Sequence, residues 1–277
     1  MTLETREKAE FGYERADFEV VRAKLKTLTG INLADSKDSM VYSRLSRRIR
    51  ALHLKDFSGY LSYLDNHLEE QENFINALTT NLTSFFREHH HFEQLKGYIQ
   101  SNRRPLKIWC AAASTGEEPY SLAMTAVEAY GRFNIPVEII ASDIDSKVLE
   151  TASRGIYKIE QVSDMTADFK KRYFHRGKGI NAGLVKIVPE LKKLLTFKKL
   201  NLMDAKYALP EDFDIVFCRN VMIYFDKQTQ LAILEKIISH MKPNGLYFAG
   251  HSENFSHVSK LLTPLGKTVY KPKGMTQ

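Results

Sequence analysis

The residue pattern of this chain changes period once, near Leu106, and that change limits its fold more than any other feature. Beyond it, short apolar runs alternate with amphipathic helical stretches. The spacing predicts strands over 107–112, 137–142, 195–200, 213–218, 245–250 and a short closing strand near 268–271. Helices fit between them at 119–130, 146–153 and 227–241, the last stopped by Pro243 and Gly245. Alternation of this kind specifies an α/β class, doubly wound and largely parallel sheet. Such sheets take their ligands at the carboxyl ends of their strands.

Residues 1–80 lack strand-like runs. Phe18, Val21, Leu25 and Leu28 recur at helical spacing before Gly30. A second helix is predicted over 38–52, with Leu45, Ile49 and Leu52 on one face and Arg44, Arg47 and Arg48 on another. Two more helical stretches follow, at 57–67 and 69–79. The division reads as a helical domain over 1–80, a connecting segment over 81–105 that contributes to a cofactor site, and an α/β domain over 106–277. One segment breaks the alternation: β-like runs at 172–174 and 184–188 flank Arg176-Gly-Lys-Gly-Ile-Asn-Ala-Gly183. They predict an inserted hairpin subdomain at about 167–193, either a surface excursion or a partner site.

With 277 residues, the chain has room for one α/β domain and a smaller companion. Its longest apolar runs are strand-length, well short of the roughly 20 residues of a membrane span. The first eleven residues mix acids and bases, unlike a secretory signal. Cys110 and Cys218 cannot build a disulfide framework and read as reduced core residues of a cytosolic protein. The net charge of +7 admits an anionic partner, and the bases Arg44, Arg47, Arg48 and Arg50 gather in the second helix, before Glu69, Glu70 and Glu72 reverse the sign.

The chemistry-bearing residues fall where the predicted strands end. The first strand runs into Ala111-Ala-Ala-Ser114-Thr115-Gly116-Glu117-Glu118-Pro119. Its small residues allow a tight turn into a helix. Two glutamates there would repel a pyrophosphate but suit a cationic, phosphate-free cofactor; favouring the helix dipole is their simpler role. Asp143 ends the second strand, 27 positions beyond Gly116, near the ~20 expected of a ribose-binding acid. Alternatively Asp143 or Asp145 caps the next helix. The fourth strand continues into Arg219-Asn220-Val221-Met222-Ile223-Tyr224, and Tyr224 either faces the cleft or packs. His89, His90 and His91 are adjacent and lack an outlying partner at a familiar spacing, so they read as surface or interface residues and no metal is expected. Arg87, after two phenylalanines, is a cation able to meet a carboxylate.

Taken together, five stretches resemble the CheR-type protein-glutamate O-methyltransferases of bacterial chemotaxis. They are Thr79-Thr-Asn-Leu-Thr-Ser-Phe-Phe-Arg-Glu88, Ala113-Ser-Thr-Gly-Glu-Glu-Pro-Tyr-Ser-Leu122, Ala141-Ser-Asp-Ile-Asp145, Phe213-Asp-Ile-Val-Phe-Cys-Arg-Asn-Val-Met-Ile-Tyr-Phe-Asp226 and Gly250-His-Ser-Glu-Asn254. The resemblance implies an all-α N-terminal domain before a Rossmann-like methyltransferase domain with a small antiparallel β-subdomain. It implies S-adenosylmethionine as cofactor, held by Asn81, Thr83, Arg87, Glu118, Asp143, Asn201, Leu202, Arg219 and Asn220, with Arg87 and Tyr224 nearest the methyl-transfer centre. Chemotaxis receptors are the implied partners: their acidic methylation helices at Arg44, Arg47, Arg48 and Arg50, and in some members their C-terminal tail at the hairpin. A monomer is expected. The rivals are a nucleic-acid methyltransferase and a non-catalytic signalling module. The first tends to carry Asn/Asp-Pro-Pro-aromatic after strand four, whereas this chain has Arg219-Asn-Val-Met222.

Overall fold

The computed structural model describes residues 10–253, 255 and 260–273. The reading of the first residues as no secretory signal rests mostly on positions outside them, and so does Asn254. The chain divides into two compact units: one runs up to Thr80 and includes Tyr224–Thr229, and the other comprises Asn81–Ile223 and the rest.

The first unit is built on α1 (Arg15–Thr29), α2 (Asp38–Ala51), α3 (Phe57–Asn66) and α4 (Leu68–Leu78). Helical spacing carries Phe18, Val21 and Leu25 of α1 into one core with Val41, Leu45 and Ile49 of α2. Phe57, Tyr60, Phe74 and Leu78 complete it.

The second unit holds a seven-stranded sheet in the order β6-β2-β1-β7-β8-β10-β9. Its strands are β1 (Leu106–Cys110), β2 (Val137–Asp143), β6 (Leu195–Lys199), β7 (Phe213–Phe217), β8 (Met241–Phe248), β9 (Leu262–Gly266) and β10 (Val269–Pro272). The pairings from β6 to β8 are parallel, and β10 lies antiparallel to β8 and β9. All five residues of β7 are buried, as a strand covered on both faces requires. Strand order reverses at β1, with β2 on one side and β7 on the other, so the ligand cleft belongs at the carboxyl ends of β1 and β7.

Three expectations are corrected. The inserted subdomain is a three-stranded antiparallel sheet rather than a hairpin, and it begins before 167. Its strands are β3 (Ile156–Lys158), β4 (Phe174–Arg176) and β5 (Leu184–Ile187), with β5 central. Three residues directly after a helix are too few to show a period, so β3 escapes pattern reading. Arg172 and Tyr173, read as strand, end the helix α8 (Ala167–Tyr173), which Thr166 caps by accepting from Phe169 N at 3.3 Å.

The second correction concerns α10 (Lys227–Ser239), which stops before Pro243 and Gly245 rather than at them. Both residues lie within β8, where the register against β7 shifts between Phe213↔Met241 and Ile215↔Leu246. The bulge absorbs a proline with no N–H to pair. At Gly245 a Cβ would stand 3.0 Å from the Asp214 carbonyl. These were bulge residues whose composition imitates a helix stop.

Third, the stretch read as a connecting segment contains a helix, α5 (His90–Ser101), that buries Phe92, Leu95 and Ile99 in the sheet core. The remaining helices are α6 (Glu117–Tyr130), α7 (Ser146–Arg154) and the single turn α9 (Pro189–Lys192). No helix among the described residues is long and apolar enough to cross a membrane.

Candidate active site at the carboxyl ends of β1 and β7

The turn after β1 is held by its neighbours. Ser114, at φ 46°, donates its backbone N–H to Asp143 Oδ2 at 2.8 Å and its hydroxyl to the Asn81 carbonyl at 2.8 Å. Gly116 takes φ 100°, and a Cβ there would stand 2.7 Å from the Tyr157 hydroxyl and 2.8 Å from Ala152. The close approach that demands glycine is therefore to the protein's own β3 and α7. Tyr157 also donates to the Thr115 carbonyl at 2.8 Å.

Of the two aspartates, Asp145 takes the capping role that the sequence left open. Asp145 is the cap of α7, accepting from Lys147 N at 2.9 Å and Val148 N at 3.3 Å, and Asn81 Nδ2 donates to its other oxygen at 2.9 Å. Asp143 caps nothing. Each of its oxygens takes one backbone N–H, from Ser114 at 2.8 Å and Asp145 at 3.0 Å, which leaves further lone pairs toward the cleft. Burial pushes its carboxyl up to about 6, against those two hydrogen bonds.

The turn after β7 carries Arg219, with its guanidinium buried between two carboxylates. Nη1 lies 2.7 Å from Glu118 Oε2, and Nη2 lies 3.0 Å from Glu88 Oε2 while donating to the Arg87 carbonyl at 2.6 Å. Glu118 is thus an ion-pair partner in the core of the cleft rather than a surface charge on the helix dipole. Burial raises its carboxyl above the usual range despite Arg219. Burial pushes Glu88 up, but Arg219, the His251 N–H and Asn220 together outweigh it and leave the carboxyl below that range. Arg219 Nε has no hydrogen-bond partner, and Glu88 Oε2 has only its ion pair with Arg219.

Asn220 sits at φ 58°, Phe86 at 53° and Glu88 at 58°. Non-glycine residues in this region carry strain and concentrate at functional sites. Asn220 donates to Glu88 Oε1 at 3.3 Å and fills the space a Cβ on Gly250 would need. Glu253 fixes the same turn from behind, accepting from Val221 N at 3.0 Å, Met222 N at 2.8 Å and Gly250 N. Burial lifts its carboxyl to about 7 against those bonds.

Two groups result: Asn81 and Asp143 meet through Ser114 and Asp145 after β1 and β2, and Glu118, Arg219 and Asn220 meet directly or through Glu88 after β7. Arg87 joins the second group through its carbonyl, while its guanidinium donates to the Leu82 carbonyl at 3.2 Å. Asn201 and Leu202 follow β6, beside the end of β2, where Leu200 N donates to the Asp143 carbonyl at 2.9 Å. Thr83 is half-buried in the same loop as Asn81. Tyr224 belongs to the first unit, where its carbonyl accepts from Asn32 N at 2.8 Å. Sequence reasoning missed Glu88 and Glu253, although both stand inside quoted motifs; a buried acid after an arginine, or after Gly250-His-Ser, was the available signal.

Two further expectations meet the structure here. Cys110 and Cys218 are free and buried, and burial raises both thiols. The histidine run is not all surface: His91 is fully buried, and its Nε2 bonds the Lys267 carbonyl at 2.9 Å.

Comparison with known proteins identifies the architecture. The family described as CheR methyltransferase, SAM binding domain, matches residues 81–271, and CheR methyltransferase, all-alpha domain, matches 16–79. The chain belongs to the CheR methyltransferase family. Its similar proteins in this family include chemotaxis protein methyltransferase 2 of Pseudomonas aeruginosa, 54% identical across 95% of each chain. The chemotaxis protein methyltransferases of Escherichia coli and Klebsiella aerogenes are 50% and 51% identical over 87% of this chain, covering 85% and 84% of their own lengths.

S-adenosylmethionine is accordingly the cofactor of this family member. The residues present are compatible with it: Asp143 keeps acceptor capacity at the end of β2, and Glu118 and Glu88 disfavour a phosphate group near the turns after β1 and β7.

Proposed function

We propose that this chain transfers the methyl group of S-adenosylmethionine to glutamate side chains of chemotaxis receptors, forming methyl esters during sensory adaptation. One observation carries the reading: relatives named chemotaxis protein methyltransferase match it across both units at 50–54% identity.

The bound cofactor supplies an electrophilic methyl carbon on a cationic sulfur. Asn81, Thr83, Arg87, Glu118, Asp143, Asn201, Leu202, Arg219 and Asn220 hold it in this reading. A glutamate side chain has a pKa near 4.3, so at pH 7 on the order of 500 carboxylates are ionised for each protonated one. No base is required. The remaining difficulty is that a carboxylate is well hydrated and weakly nucleophilic. Stripping its water and aligning it can contribute roughly 7–11 kcal/mol. Arg87 and Tyr224 take that orienting role, Arg87 with its charge and Tyr224 with its hydroxyl.

The receptor meets the basic helix α2. Within it, Arg44 donates to the Ala77 and Thr79 carbonyls at 3.1 and 2.6 Å, Arg48 pairs with Glu70 and Arg50 with Glu10. Arg47 is exposed and without a partner among the described residues, which makes it the foremost contact for an acidic receptor helix. The small sheet of β3, β4 and β5 docks the receptor tail where one is used. The enzyme acts as a monomer in the cytosol.

The test is transfer of tritiated methyl from S-adenosylmethionine to receptor-containing membranes. Label that mild alkali releases as methanol is an ester and supports the reading; alkali-stable label, or none, overturns it.

A further inference from the structure

Beside Arg219, a second group of side chains converges for which methyl transfer has no use. His90 and His91 open α5, and His251 follows β8; one ring nitrogen of each lies within 4.8 Å of the others. His90 Nε2 and His251 Nε2 are 3.3 Å apart. Glu88 Oε2 stands 3.6 Å from His91 Nδ1 and 3.8 Å from His251 Nε2. A tetrahedral ion with bonds of ~2.0–2.1 Å sets its ligand atoms ~3.3 Å apart. The His90–His251 separation matches such an edge, and the two to Glu88 exceed it by about 0.3 and 0.5 Å. The histidine nitrogens, spread over up to 4.8 Å, would draw together by side-chain rotation around an ion.

The surroundings of His91 add to the distances. His91 Nε2 lies 2.9 Å from the Lys267 carbonyl and 3.0 Å from Thr268 Oγ1; a carbonyl only accepts, so the tautomer that satisfies it carries the proton on Nε2. In that tautomer Nδ1 is a bare lone pair, fully buried and without a hydrogen-bond partner, 3.6 Å from Glu88 Oε2, which Arg219 Nη2 meets as an ion pair at 3.0 Å. An unpartnered imidazole lone pair beside a carboxylate is a place a metal cation can occupy. A backbone carbonyl fixing the far nitrogen of a ligating histidine is also the usual support of a metal site. A hydrogen bond shared by His90 and His251 would use two nitrogens and leave the buried His91 Nδ1 unpartnered.

We propose that His90, His91, His251 and Glu88 form a binding site for a first-row divalent metal ion, with Zn2+ the ion best matched to three imidazoles and one carboxylate. Glu88 keeps its other oxygen on Asn220 Nδ2 at 3.3 Å and His251 N at 3.2 Å. The local balance tolerates the ion, since Glu88 and Glu118 outnumber Arg219. His251 is 55% exposed and gives the ion its entry. A bound ion would tie the start of α5 to the end of β8 beside the Glu88–Arg219 pair. The sequence concealed the site because His251 is 160 positions from His91.

The test uses the full chain without an affinity tag, stripped of metal and titrated with zinc chloride by calorimetry, and with cobalt chloride by visible absorption. Uptake of one ion per chain, with the intense visible bands of four-coordinate cobalt, is expected. Changing His90→Ala or His251→Ala should each weaken uptake by roughly tenfold or more, whereas His89→Ala, with a side chain 70% exposed and outside the group, should not. Absence of stoichiometric uptake, six-coordinate cobalt spectra, or uptake unchanged in both His90→Ala and His251→Ala would overturn the site.

Discussion

Each unit buries an arginine–glutamate pair, and the two pairs are finished differently. In the helical unit Arg48 grips Glu70 in a fork, Nε to Oε1 at 2.9 Å and Nη2 to Oε2 at 2.6 Å, and the Tyr60 hydroxyl adds a third bond at 3.0 Å. In the sheet unit Arg219 serves two glutamates and a carbonyl yet leaves its Nε unbonded, Glu88 Oε2 has only that ion pair, and His91 Nδ1 is unbonded. Ser46 Oγ is the only such atom of the helical unit among the described residues. A satisfied buried pair fixes one arrangement and is finished as structure. An unsatisfied one retains bonding capacity for a ligand, at a cost in stability.

The sharpest break of this contrast is Arg219→Ala. It strands Glu88 and Glu118 with no counter-charge, and the expected loss is about 3–5 kcal/mol in denaturant unfolding. A loss under 1 kcal/mol would mean the carboxylates simply take up protons and the pair is no scaffold. Asp143→Asn comes next. Removing a charged acceptor should weaken S-adenosylmethionine binding roughly 10- to 150-fold by calorimetry.

The same variant should respond to pH in a defined sense. Asp143 is raised to about 6 in the folded chain, so its contribution to stability is complete below the unfolded value near 3.9 and disappears as pH climbs through 6. Parent and variant should therefore differ in the pH slope of Tm between 4 and 6, the parent falling more steeply; parallel slopes would refute the burial argument.

Glu70→Gln addresses the finished pair. It should cost about 1.5–3 kcal/mol and leave cofactor affinity untouched, and a coupled fall in affinity would erase the distinction between the regions. Tyr224→Phe should lower kcat about tenfold, ~1.4 kcal/mol of barrier, with cofactor Kd unchanged; equal changes in both would make Tyr224 a cofactor ligand. The smallest effect is reserved for Arg47→Glu, expected to slow receptor methylation a few-fold in low salt without altering cofactor binding.

How much of this was legible in the sequence depends on whether local pattern or distant pairing decided it. Helices α1 to α4 and the strands β1, β2, β6 and β7 follow from apolar spacing that burial then enforces, and they fall within a residue or two of expectation. The positions of Asp143 at the end of β2 and of the turn at Gly116 were legible because the end of a strand is a local signal. What was not legible depended on neighbours far along the chain. Pro243 and Gly245 mark a bulge only once β7 lies alongside. Glu88 matters because Arg219, 131 positions away, reaches it. Tyr157 carries no local signal, since its partners at 115 and 116 are separated from it by a helix, a strand and another helix.

That last contact has a practical consequence. Through the Tyr157 hydroxyl on Thr115, and Gln161 Nε2 on Glu117 Oε1 at 3.0 Å, β3 and the turn after it hold two positions of the loop that follows β1. In the proposed reading a lesion at Tyr157 would thus be misdiagnosed: assays would report a chain with a poor grasp of its cofactor, while the fault lay in the inserted sheet that props the loop.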